Sequence, residues 1–340
     1  MIESAAADRS RGTDEVDLTI LHALQIAPRA TWAEIGAAIG VAPTTVARRW
    51  ANLESGGRAW IAAYVASPYS RLVFVRIDVA PARSAEAVAG LCARSALVTL
   101  DEVAGARSLL GTLVAPSTSA MADELHALRA VDGVSVVEPV VSTTVVAHGS
   151  RWRLDALDPE QERRMRRVAV PLTGAPVPQI DETDRALVRA LAVDGRVSAT
   201  DLATRLDVSV NTARRRVARL LESGWLSLRC DLSTAISGHE TLVYLWLRLP
   251  PGDLAAAMAA IADLPDRRMV ATLAGRHNLL VNAWFHRPED LLDFEVRIAR
   301  LCPTALIDDR TIVLRKIKHI GRVLDSDGRA VDLVPLPDFA

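Results

Sequence analysis

Asp14-Glu15-Val16-Asp17 recurs 167 residues later as Asp181-Glu182-Thr183-Asp184, and the register then holds through Leu24 and Leu191, Arg29 and Arg196, Ile35 and Leu202, and Val41 and Val208. It continues through Arg48-Arg49 and Arg215-Arg216 to Leu53 and Leu220. Further on, Leu72-Val73-Phe74-Val75 corresponds to Leu242-Val243-Tyr244-Leu245 and Gly105 to Gly275, now at an offset of 170. A gap-free match on both sides of one small insertion means duplication, so the chain is two copies of one two-part plan.

With 340 residues the chain exceeds one ordinary core. Hydrophobic residues at 50% and charged ones at 24% are globular composition and exclude a mostly disordered protein. No apolar stretch approaches the roughly 18–20 residues that span a bilayer. Residues 1–13 are polar, lack the basic start and apolar run of a signal peptide, and read as a loose tail, so a cytoplasmic protein with no membrane contact is expected. Cys92, Cys230 and Cys302 are far apart and form no C-x-x-C pair, which signals buried thiols rather than a disulfide framework or a metal site. No Ser-His-Asp set or phosphate loop is evident, and no cofactor is expected.

Each copy opens with a three-helix pattern, over 14–60 and 180–227. Asp14 caps a helix that buries Ile20, Leu21 and Leu24, and Thr31-Trp32-Ala33-Glu34 is a capping box matched by Ser198-Ala199-Thr200-Asp201. The second helix buries Ile35 and Ile39, or Leu202 and Leu206. After the turn Gly40-Val41 or Asp207-Val208, a third helix carries Val46, Trp50 and Leu53, or Ala213, Val217 and Leu220, along one face. This is helix-turn-helix organisation, and the candidate DNA-contacting residues lie on the third helix: Thr44, Thr45, Arg48 and Arg49 in copy one. In copy two they are Ser209, Asn211, Thr212, Arg214, Arg215, Arg216 and Arg219. Short polar side chains suit base edges in a major groove, and arginine forks suit phosphates or guanine. Net charge is only −1, so affinity for double-stranded DNA has to come from this local concentration of arginine. Ser209 is a proper N-cap and the second helix is arginine-dense, whereas Ala42 cannot cap and is followed by Pro43; the second copy is therefore expected to carry more of the DNA affinity.

A second pattern, over 71–147 and 239–318, reads strand, helix, strand, strand, helix, strand, which is the ferredoxin-like plan. The fold class is thus α+β, two copies of a helix-turn-helix followed by a ferredoxin-like βαββαβ domain. Both helices cover one face of the sheet and leave the other needing a partner, so these domains are expected to pair. Two glycine hairpins, Gly105-Ala106-Arg107-Ser108 and Gly275-Arg276-His277-Asn278, are either plain tight turns or effector sites. In the second case Gly105, Arg107, Ser108, Gly275, His277 and Asn278 are the candidate contacts. Between the copies, 148–179 reads as a linker containing a helix start at Asp158-Pro159, a basic run from Arg163 to Arg167, and a proline-rich stretch ending at Pro178. Residues 319–340 form a C-terminal extension.

The Asp14-x-x-Asp17 opening, the Val46-Ala47-Arg48-Arg49 segment, the Leu53-Glu54-Ser55-Gly56 exit and the Gly-x-x-Ser/Asn hairpin before a Leu-Leu pair together resemble the Lrp/AsnC, or feast/famine, family of transcription regulators. The resemblance covers nearly the whole chain, in two copies. It implies a helix-turn-helix joined by a strand to a ferredoxin-like domain that dimerises through its sheet and often binds an amino acid between subunits. Most members carry one copy, so this chain reads as a fused pair whose sensing domains pair either within the chain, mimicking a family dimer, or between chains, with a homodimer of fused pairs as the expected assembly. Copy one departs at Ala42 and Pro43, and its hairpin lacks the acidic residue often found there. The same plan is similar to that of siroheme decarboxylases, an enzyme alternative that calls for a histidine-rich site and a weakened recognition helix; the seven histidines here are scattered and Arg214-Arg215-Arg216 is charged for DNA. A protein-binding scaffold is the third alternative.

Overall fold

A computed structural model describes residues 13–65, 71–147, 153–173, 178–238 and 241–337. The expected tail, apart from residue 13, and residues 148–152 and 174–177 of the expected linker lie outside this set. The first copy comprises α1 (Glu15–Ile26), α2 (Trp32–Ile39), α3 (Pro43–Ser55), β1 (Ala59–Val65), β2 (Arg71–Val79), α4 (Ser84–Cys92), β3 (Leu97–Ala104), β4 (Leu109–Ala115), α5 (Thr118–Arg129) and β5 (Val134–Ala147). After α6 (Pro159–Val168), the second comprises α7 (Glu182–Val193), α8 (Ala199–Leu206), α9 (Val210–Glu222), β6 (Leu226–Leu232), α10 (Thr234–Ser237), β7 (Thr241–Arg248) and α11 (Leu254–Ala262). It ends with β8 (Arg267–Ala274), β9 (Leu279–Phe285), α12 (Asp290–Leu301), β10 (Leu306–His319), β11 (Arg322–Leu324) and β12 (Ala330–Leu333). No helix among the described residues is long and apolar enough to cross a membrane.

The compact units do not follow chain order. Of the described residues, one unit gathers 13–65, 153–173, 178–236 and 329–337, hence both helix-turn-helix modules; the other gathers 71–147, 237–238 and 241–328, hence both ferredoxin-like domains. Like pairs with like inside the chain.

In the first unit each module is built by its own caps. Asp14 accepts from the Asp17 backbone N–H and the Asp17 side chain answers at Asp14, a reciprocal box repeated by Asp181 and Asp184. Ile20, Leu24, Ile35, Val46 and Leu53 are fully buried in the first module, and Leu187, Leu191, Leu202, Ala213 and Leu220 in the second. The modules are joined by β1 and β6, antiparallel along all seven residues from the pair Ala59–Leu232 to the pair Val65–Leu226. The middle pair is Ala62 and Arg229, residues at the repeat offset of each other, so a pseudo-twofold axis passes there. The strands also exchange cores: Ala63 of β1 is buried among Leu187, Leu191 and Trp225 of the second module.

Two arginines lock this pairing reciprocally. Arg29 donates to the carbonyls of Gly195 (2.7 Å) and Val197 (2.9 Å), and Arg196 donates to those of Pro28 (2.6 Å) and Ala30 (2.8 Å). The two sets of partners are themselves repeat equivalents. Arg196 also lies 3.8 Å over the Trp32 ring. Gly195 has to be glycine, because a Cβ there would stand 2.3 Å from Ile61 Cγ2.

The segment expected to be a linker is, where described, part of this unit rather than a free spacer. Its Leu157 and Ala156 N–H groups donate to His22 Nδ1 (3.1 and 3.3 Å), and Leu154 N–H donates to Gln25 Oε1 (2.7 Å). Burial holds His22 neutral, with its pKa pushed down to about 4. Met165 of α6 is fully buried, worth roughly 1.5–3 kcal/mol relative to an exposed side chain. The C-terminal extension likewise returns here: Ala330 N–H donates to Gly57 O (2.8 Å).

The second unit is a ring of eight strands. The first ferredoxin-like sheet runs β3-β4-β2-β5, the second β8-β9-β7-β10; β5 pairs with β8, and β10 pairs with β3 to close the circle. β11 adds a short antiparallel pair to the end of β10. Alternation along each strand separates two cores. Val73, Val75 and Ile77 face the helices of their own copy, as Val243, Leu245 and Leu247 do in the other. The opposite face, expected to need a partner, packs Phe74 and Leu110 of copy one with Leu242, Tyr244, Trp246 and Trp284 of copy two.

Equivalent positions on that inner face have diverged into complementary ones. Arg76 and Trp246 are repeat mates, and the guanidinium lies 3.9 Å from the ring centre while also bonding Asp309 (3.0 Å). Tyr244 donates its hydroxyl to Asp101 (3.0 Å); their mates are Phe74 and Ala271. Lys318, fully buried, donates to the carbonyls of Cys92 and Arg94 at the C-terminal end of α4. Burial pushes the Asp101 carboxyl up to about 6. Asp101→Ala leaves a buried hydroxyl unpaired and Tyr244→Phe removes a bond to a buried carboxyl. The double variant, which copies its pseudo-symmetric mate, is expected to lose less stability than the sum of the singles by about 1–2 kcal/mol in chemical unfolding.

Candidate nucleic-acid interface

The third helix of each module, α3 and α9, presents most of the arginines singled out from the sequence. α9 is capped by Ser209, whose side chain accepts from Thr212 N–H (3.1 Å) and also bonds the Thr212 hydroxyl. α3 begins at Pro43 with Ala42 as its cap and no side-chain cap bond. Thr44 and Arg48 are exposed on α3, with Thr45 half-buried beside them. On α9 the exposed residues are Asn211, Arg214, Arg215 and Arg219, with Thr212 half-buried. Arg48, Arg214 and Arg215 have no ion-pair partner among the described residues, which leaves their forks open to an anion.

Arg49 and Arg216 have a different task. Arg49 Nη1 binds both oxygens of Asp14 (2.8 Å) and Asp17 Oδ1 (2.9 Å), and Arg216 Nη1 repeats this with Asp181 (2.8 and 2.7 Å) and Asp184 (2.9 Å). Each arginine therefore ties the third helix to the N-terminal turn of the first. The aspartate bonds raise both guanidinium pKa values, and backbone N–H bonding, followed by the arginine, lowers those of Asp14 and Asp181. Asp184 is wholly buried and takes a second cation, Arg219 (2.6 Å). So Arg49, Arg216 and Arg219 are first of all structural, and the unengaged cations number one on α3 (Arg48) against two on α9 (Arg214, Arg215).

The axis at Ala62 and Arg229 relates α3 to α9, so the two open helix faces are presented as a pseudo-symmetric pair by one unit of one chain. The reciprocal roles of Arg29 and Arg196 were not read from the sequence. Their match in the repeat was visible, but nothing local marks an arginine whose carbonyl partners are 166 to 168 residues away.

The six hairpin residues are grouped in two places in the other unit. Ser108 donates through its N–H to Asp78 Oδ1 (2.9 Å), and Arg107 bonds Asp78 (3.0 Å) and approaches Glu138 (3.5 Å). Gly105, at φ 151°, makes the exposed turn. In copy two Asn278 makes two bonds with the Leu249 backbone, at 3.0 and 2.8 Å. His277 lies 3.7 Å from Asp308 and against the Trp246 ring, its pKa lowered by burial and then by Arg76. Ser108 and Asn278 thus fasten each turn to the neighbouring strand, while Gly275 is exposed and His277 is only partly enclosed.

Comparisons with known proteins bear on both units. Residues 14–54 match the model of the AsnC-type helix-turn-helix domain, and 180–227 that of a winged helix-turn-helix DNA-binding domain. The chain is 49% identical over 140 residues to the HTH-type transcriptional regulator LrpA of Mycobacterium tuberculosis, covering 89% of that protein and 40% of this one. It is 27% identical over 145 residues to an HTH-type transcriptional regulator of Pyrococcus abyssi, covering 90% of it and 42% of this chain. A crystal structure of the siroheme decarboxylase NirDL superposes with a TM-score of 0.58 over 94% of this chain and 95% of that one, at 15% identity, which is a likeness of fold.

Arg49→Ala leaves Asp17 buried without its cation and is expected to cost on the order of 2–4 kcal/mol of stability. Arg48→Ala and Arg215→Ala are expected to leave the melting temperature unchanged while weakening DNA binding, Arg215→Ala the more. A larger binding loss from Arg48→Ala would reverse the assignment of the stronger reader to α9.

Proposed function

The chain belongs to the Lrp/AsnC family of transcription regulators, and we propose that a single chain performs the DNA recognition for which most members of that family use two. The observation that carries this is the β1–β6 pairing with its Arg29 and Arg196 exchange, which mates two recognition helices about a pseudo-twofold axis. A twofold reader fits two half-sites roughly 34–36 Å apart, one helical turn of DNA. Because α9 offers two unengaged arginines and a capped N-terminus where α3 offers one arginine and no side-chain cap, the operator is unequal, with the better half-site under the second module.

The sensing function resides in the ferredoxin-like ring, and the effector is an amino acid or a related small metabolite. The turn at Gly275 and His277 is the better candidate contact, since the copy-one hairpin is drawn onto Asp78 and Glu138 by Arg107. Two such chains assemble into the working oligomer.

The decarboxylase reading shares this fold, but the exposed Arg48, Arg214 and Arg215 favour a helix still equipped for DNA over one that has lost it. The test is retention of DNA from upstream of the protein's own gene across a salt series, with and without a panel of amino acids. Steep loss of affinity with salt, modulated by at least one amino acid, is the expected result. No retention at low salt would sink the regulator reading.

A further inference from the structure

α6, the helix between the two copies, is docked as firmly as a structural helix but carries its charge outward. Asp158 caps it, accepting from the Glu160 and Gln161 N–H groups (2.8 Å each), and Met165 anchors its inner face. Residues two positions either side of Met165 project away from that face, because each residue turns a helix by about 100°. Those residues are Arg163 and Arg167, flanked by Arg164 and Arg166, and all four are exposed. The acidic residues Glu160 and Glu162 belong to the first turn, so every charged side chain from residue 163 to the end of the helix is an arginine.

The ion pairs on this helix do not bind its arginines tightly. Arg163 and Arg164 share Glu160, Arg166 pairs with Glu162 (2.6 Å), and Arg167 has no ion-pair partner among the described residues. Pairs this exposed contribute about 0–1 kcal/mol and yield readily to a stronger anion. A helix that only needed to be soluble would not require four arginines on one side while its carboxylates are confined to the other end.

Position identifies the anion. α6 packs on α1 and α2 of the first module, and Arg164 reaches the Ala37 carbonyl of α2 (3.5 Å). In a helix-turn-helix the helix that precedes the reader crosses the DNA backbone; here that helix is α2. Among the described residues the second module has no such helical flank: the equivalent face of α7, at Arg185, Val188, Arg189 and Ala192, lines a cavity together with the uncharged segment Pro335–Pro337.

We propose that α6 is a third DNA-contacting element, which binds phosphates beside the copy-one half-site through Arg163 and Arg167 and so supports the module with the weaker reading helix. This rests on the reading of the first unit as a DNA binder, and the test separates the two. Affinity of the full-length wild type, R163A/R167A and R163K/R167K for the upstream fragment is measured across a salt series, with melting temperature as the control for folding.

R163A/R167A is expected to lose roughly tenfold in affinity and to flatten the log–log salt slope by about 2, near 0.9 for each phosphate released. R163K/R167K is expected to keep the wild-type slope, since a phosphate contact needs charge and not the arginine fork. A steep wild-type slope that R163A/R167A leaves unchanged would overturn this inference while the regulator reading stands. A wild type that shows no salt-dependent retention would overturn both.

Discussion

The exchange of Arg29 and Arg196 across the β1–β6 seam is the constraint on which the rest of the first unit depends. Each guanidinium satisfies two carbonyls of the opposite module, and β1 fills part of the second module's core while β6 packs on α1 of the first, so each module leans on the other. Removing either arginine strands two carbonyls at a half-buried seam, where unpaired polar groups are costly. The glycine at 195 follows from the same closeness, since the seam leaves no room for a Cβ beside Ile61.

Fusion changes what this pairing permits. Two separate copies would have to meet by diffusion and would carry every substitution twice. Tethered copies meet at a high effective concentration and can each change alone. The inner face of the eight-stranded ring records that freedom. Arg76 and Trp246 hold one position in the repeat and stack on each other; like paired with like would set two guanidinium groups together. Asp101 finds a donor in Tyr244, whereas their mates Ala271 and Phe74 have no side-chain polar group to pair. The recognition helices diverged in the same way, in cap and in the number of unengaged arginines.

Much of this was legible in the sequence because it is local or periodic. The capping boxes at Asp14–Asp17 and Thr31–Glu34, the buried stripe at Val46, Trp50 and Leu53, and the strand–helix order of both ferredoxin-like domains rest on neighbours within a few residues. What escaped depends on distant partners. On a helical wheel Arg49 and Arg48 are alike, and only the folded first helix separates them by bringing Asp14 and Asp17 under one. The segment 148–179 looked like a spacer because its composition is that of one. The docking of α6 depends on His22 and Gln25, more than 125 residues earlier, which carry no local sign of the role. The hairpins were open to two readings from sequence, and the bonds of Ser108 and Asn278 to neighbouring strands account for those two side chains without a ligand.

The central claim is that one chain holds both halves of a reader that normally takes two chains. It is tested most directly by the mass of the complex formed at limiting protein on a duplex long enough for one operator, measured together with the pattern of protected phosphates. The account predicts one chain for each duplex bound, a pair of chains therefore holding two duplexes, with protection at two unequal half-sites a helical turn apart on each. Protection of a single half-site by one chain, or a complex that forms only with two chains supplying one module each, would contradict it.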